Sequence, residues 1–64
     1  MNVLNEVAAD LVGDDRVDKV TRYSDMVIVV CYDRTDRVAV EADMNRHPSV
    51  DVGYRGLNLK VEAI

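Results

Sequence analysis

The sequence predicts an α+β fold, an N-terminal helix packed on a small antiparallel sheet of three to four strands. Three observations carry that expectation: an apolar stripe of helical period at the start, Val-rich runs after it, and Gly and Asp where the chain must turn. The chain has 64 residues, so it is expected to form one folding unit around one core. A domain of this size buries only about 60% of the surface its unfolded chain exposes, and its stability should be marginal without a partner or a second copy.

Val3, Leu4, Val7, Ala8, Leu11 and Val12 recur at three- and four-residue spacings, with Asn5, Glu6 and Asp10 on the remaining arc. This is the pattern of an amphipathic helix. Asn2 can cap its start, Glu6 complements the dipole there, and Gly13 can supply a left-handed stop. After the turn at Asp14 and Asp15, Val17 to Tyr23 is rich in Val, Thr and Tyr but alternates poorly, which predicts an edge strand.

Met26 to Tyr32 and Arg37 to Asp43 are two β-rich runs around Asp33-Arg34-Thr35-Asp36, and they read as a hairpin with a four-residue loop built on a type I turn. That loop would place Cys31 opposite Val38, Val29 opposite Val40 and Val27 opposite Ala42, a wholly apolar face to meet the helix. The other face would carry Tyr32 with Arg37, Val30 with Ala39, Ile28 with Glu41 and Met26 with Asp43. Such a face is too apolar to be left wet and should be at least partly covered.

Met44 to Ser49 reads as a loop, with room for a single helical turn after Asp43, because Pro48 biases His47 away from helical backbone. Beyond it, apolar residues fall on even positions at Val50, Val52 and Tyr54 but on odd positions at Leu57, Leu59 and Val61. Either a tight hairpin with Gly56 in a left-handed conformation or a bulge within one long strand would absorb that slip, and the hairpin is the preferred reading. No internal repeat, linker or low-complexity tract is legible.

Nine Asp and three Glu outweigh six Arg and two Lys, for a net charge of −4 and a pI near 4.6. That balance disfavours direct contact with nucleic acid or an anionic membrane, both of which call for a basic face. The sequence shows no apolar run long enough to span a bilayer and no leader pattern, so an intracellular, cytoplasmic location is expected. The single Cys31 lies in an apolar run and reads as core filling in a reducing compartment.

Catalytic chemistry finds no anchor in this sequence. His47 precedes a proline with no Ser, Cys or carboxylate at a motif spacing, and Cys31 lacks the electropositive, accessible setting of a reactive thiolate. The carboxylates Asp14, Asp15 and Asp18, and Asp33 with Asp36, form an acidic surface without the spacing of a calcium loop. Turns and helix ends collect Asp for local reasons. Each tyrosine has an arginine near it in sequence, a pairing enriched at protein interfaces but also ordinary on strand surfaces.

The expectation is a non-enzymatic protein-binding module without metal or cofactor. Its docking surface would be the outer face of the central hairpin, around Ile28, Val30, Tyr32, Arg37 and Glu41. Its sharpest form is a small acidic inhibitor of a basic nucleic-acid-handling protein, acting by binding or charge mimicry. The competing expectation is a homodimeric accessory or regulatory subunit that binds a small ligand or nucleic acid.

Overall fold

A computed structural model describes residues 2–64, which form α1 (Val3–Val12), β1 (Val17–Arg22), β2 (Met26–Cys31), α2 (Arg34–Asn45), β3 (Val50–Arg55) and β4 (Asn58–Ala63). The strands make one antiparallel sheet in the order β1-β2-β4-β3, and both helices pack on the same side of it. The expected α+β architecture is thus present, with one more helix than the sequence reading assigned.

The first helix forms as its pattern dictates. Asn2 adopts an extended conformation and its Oδ1 accepts the Leu4 N–H at 2.8 Å, satisfying one of the free donors of the first turn. Leu4, Val7 and Leu11, one turn apart, are the buried stripe of α1, and each contributes roughly 1.5–3 kcal/mol of transfer free energy. Gly13 ends the helix at φ −91°, so the left-handed stop expected there is not used.

The core lies between the helices and one face of the sheet. Val27 and Val29 of β2 stand beside Val61 and Leu59 of β4, and all four are fully buried beneath the helices. Cys31, at the end of the same stripe, packs against this core as filling, and burial pushes its thiol pKa up. The expected inward face of β2 is therefore correct. Its partner is not.

Residues 37–43 are helical, and the predicted hairpin of Met26–Tyr32 with Arg37–Asp43 does not exist. Asp33 is extended and opens a helix rather than a hairpin loop: its Oδ1 accepts the Asp36 N–H at 2.8 Å as the N-cap of α2. Two physical causes decide the outcome. Both edges of β2 are occupied, by β1 and by β4, so no ladder is open to a further strand. The Val38-Val40-Ala42 alternation also contains a helical pair, Val40 and Met44, that meets the core at one-turn spacing. The helix takes in Met44 and Asn45 as its last turn, which leaves the loop before β3 shorter than expected.

The final pair of strands is the predicted hairpin. Gly56 has φ +63°, and Arg55 pairs with Asn58 across the two-residue turn. Val50, Val52 and Tyr54 then share the helix side with Ala63, Val61 and Leu59, which is why even and odd positions can line one surface. The first strand lies at the sheet edge, as expected, with a bulge between Val17 and Lys19.

One regularity escapes the amino-acid pattern altogether. The chain is two αββ units laid end to end, α1-β1-β2 and α2-β3-β4, with α1 lying chiefly over β1 and α2 chiefly over β3. They meet where β2 pairs antiparallel with β4, and an approximate two-fold axis normal to the sheet passes between Ile28 and Lys60.

Candidate binding surfaces

With both helices on one side, no element formed by the described residues lies over the other side of the sheet. The register fixes what stands there. Along one row lie Tyr23, Met26, Glu62 and Asp51, along the middle Thr21, Ile28, Lys60 and Gly53, and along the last Lys19, Val30, Asn58 and Arg55. Tyr23 joins the first row because its N–H donates to the Met26 carbonyl at 2.8 Å, one step beyond the Arg22–Val27 pair.

This open face is divided. Its β1/β2 half is mainly apolar, with Met26 and Val30 half-buried and Ile28 only 9% exposed among its neighbours. Its β4/β3 half is polar, and Lys60 reaches Glu62 at 3.3 Å. With no side chain at Gly53, the Lys60 stem lies over that position. Arg55 stretches diagonally across the face until Nη1 is 3.8 Å from the Met26 sulfur, a weak contact. Charge also changes along the strands: one end row holds the carboxylates of Asp51 and Glu62, the other the cations Lys19 and Arg55.

The helix side has a different character. Of the chain's twelve acids and eight bases, the open face holds two acids and three bases, so ten carboxylates and five arginines belong to the helices, turns and remaining strand positions. Arg16 bridges the two halves, with Nη2 2.6 Å from Asp14 and 2.8 Å from Asp43 in α2. Arg16 holds the Asp14 carboxyl down at about 2, through hydrogen bonds from its guanidinium and from its backbone N–H, and its own pKa is raised in return. Tyr54 of β3 donates to Glu41 of α2 at 2.5 Å, and this bond, which needs the phenol to keep its proton, raises the tyrosine pKa.

The residues expected to form one docking surface are therefore separated. Ile28 and Val30 lie on the open face, while Tyr32, 64% exposed, stands just beyond the end of β2. Arg37 and Glu41 are on α2, in the opposite layer, and Glu41 is occupied by Tyr54. The pairings of Tyr32 with Arg37 and Ile28 with Glu41 fall with the hairpin that implied them. Lys19, Thr21, Lys60 and Glu62 actually flank the β2 strip.

The acidic positions separate as well. Asp14 is held by Arg16, Asp33 caps α2, Asp36 lies in the first turn of that helix, and Asp15 and Asp18 are exposed in the α1–β1 turn and β1. Among the described residues no group of His, Cys, Asp and Glu is arranged to hold a metal ion, no cleft or cavity is present, and no helix is long and apolar enough to cross a membrane. The open-face residues missed in sequence had a visible signal, since Asn58, Lys60 and Glu62 alternate with the inward Leu59 and Val61. The pairing of β4 with β2 had none.

No protein-family model, curated protein or solved structure matches this chain.

Proposed function

We propose that this chain is a small, non-enzymatic protein-binding module that docks through the open face of its sheet. One observation carries the reading: the face without a covering element has the apolar strip Met26-Ile28-Val30 in place of the polar row that a solvated sheet face carries. Charged residues on both sides of the strip supply orientation, as a polar rim does around an interface core. The test is site-specific photo-crosslinking in the native cell, with the reactive group at Val30 on the open face or at Asp10 on the outside of α1. Crosslinked protein is expected from Val30 and not from Asp10. Equal yields from both positions, or none from Val30, would remove the open face as the docking surface.

A second reading rests on the segregation of charge. The acidic excess lies away from the open face, so the helix side and turns present a carboxylate-rich surface to a basic nucleic-acid-handling protein. Here Asp10 would give the crosslinks, and capture would weaken steeply with salt and be displaced by added DNA.

A further inference from the structure

We infer that the occupant of the open face is a second copy of this chain, packed sheet to sheet about a two-fold axis that crosses the strands at the middle row. This rests on the reading of that face as a docking surface and names its partner.

The charge pattern selects this axis. In a face-to-face pair, an axis parallel to the strands would leave each row opposite itself, with Lys19 over the partner's Arg55 and Asp51 over its Tyr23. Like charges would meet and carboxylates would lose water without a counter-ion. An axis across the strands inverts the rows. Asp51 then faces the partner's Arg55, Met26 faces its Val30, Tyr23 faces its Lys19, and the largely covered Ile28 lies on the axis opposite its own copy. Every end-row charge of β1 and β3 gains a complementary group, and the apolar strips coincide. Lys60 lies beside its own copy near the axis, but each ammonium already has Glu62 at 3.3 Å, so two compensated pairs meet rather than two bare cations.

The dimensions are sufficient for such a pair. Four strands about 4.8 Å apart and six residues of about 3.3 Å rise give a footprint of roughly 19 by 20 Å. Two such faces with their side-chain relief remove on the order of 1,000 Å² from water, the lower bound for a specific interface. In the single chain Arg55 lies toward the Met26 sulfur, and the partner's Asp51 is the better acceptor for its guanidinium. The sheets need only the ordinary aligned packing of a two-sheet sandwich, rotated by about 30° for their twist.

Sedimentation equilibrium on the full chain at submillimolar concentration tests the arrangement, with circular dichroism to establish that each variant is folded. The wild type is expected to form a dimer. Asp51→Arg and Arg55→Asp should each weaken it by about tenfold or more, and the two changes together should restore most of the loss, because the reversed charges again face each other across the axis. Val30→Asp, at a half-buried position of the same strip, should abolish the dimer. A wild type that stays monomeric overturns the inference. If Val30 nevertheless crosslinks to a different protein, the docking face stands with another occupant. If Val30 crosslinks to nothing, both fall. A dimer that survives Val30→Asp joins through another surface, and one whose double reversal is no better than the single changes has another axis; either result overturns the arrangement.

Discussion

The two αββ halves of this molecule share a topology but are held to the sheet by unequal means. α1 inserts Leu4, Val7 and Leu11, a full stripe, whereas α2 buries only Val40 completely and adds a half-buried Met44. The second helix is compensated by the Tyr54–Glu41 hydrogen bond and the Arg16 bridge to Asp43, while the first adds to its apolar stripe the hydrogen bond that Arg22 Nε donates to Asn5 Oδ1 at 3.1 Å. A helix anchored by apolar area resists truncation poorly and salt well, while one held by exposed polar contacts has little to lose at any single position. The same fold element is thus specified by hydrophobic period in one half and by capping and context in the other.

The contrast is open to direct attack. The largest effect is expected from Leu11→Ala, which should cost about 2–5 kcal/mol in a domain whose total stability is on the order of 3–10 kcal/mol. Urea titration should find that variant largely unfolded, while Met44→Ala, half-buried in the other helix, should lose only about 1 kcal/mol. Equal losses would show that the halves are anchored alike.

The caps should sharpen the comparison. Asn2→Ala and Asp33→Ala each remove a side-chain acceptor for a first-turn amide, at about 1 kcal/mol. Hydrogen exchange should reveal a local difference: α2 amides should lose protection in Asp33→Ala more than α1 amides do in Asn2→Ala, because less apolar contact remains to hold the second helix.

Glycines divide in the same way. Gly56→Ala should destabilise by about 1 kcal/mol, since a Cβ is strained at φ +63° although nothing crowds it. Gly13→Ala, at φ −91° with open space around it, should be neutral or slightly stabilising in thermal melts.

The smallest effect is the acid dependence of the bridge between the halves. Asp14 has its pKa lowered from 3.8 to about 2 in the folded protein, so its stabilising contribution is complete above the unfolded value and is lost as pH falls through the folded one. Melting temperatures of wild type and Asp14→Asn should therefore differ at neutral pH and converge as the pH drops from about 4 to about 2. A gap that persists at the acid end would mean that the change acts on packing or on the turn instead.

The same inequality explains how much of the structure was legible. α1 and the inward face of β2 announce themselves through apolar period, the edge strand β1 through its β-branched and aromatic composition, and the Gly56 hairpin through a backbone that only glycine adopts readily. α2 does not, because Val38, Val40 and Ala42 alternate as a strand would, and its one strong helical signal, Asp33 as a cap three residues before Asp36, also fits the first position of a turn. A second strand after Cys31 satisfied local pattern equally well. The pairing of β2 with β4, a contact between distant parts of the chain, closes the edge that β1 leaves open and so excludes it. The candidate docking surface inherited that ambiguity: Ile28 and Val30 share a face because that depends on β2 alone, and Arg37 and Glu41 were misplaced because they depend on its partner.

Near-symmetry between the halves also bears on chain connectivity. Tyr32 and Asp33 suffice to lead from the end of β2 into α2, and the approximate dyad makes the gap from the end of β4 to the start of α1 a similar one. Fusing Ile64 to Met1 and reopening the polypeptide ahead of Asp33 should therefore yield a circular permutant with the parent's spectrum. In that permutant the weakly anchored helix would emerge first from the ribosome and would have to await its better-buried counterpart.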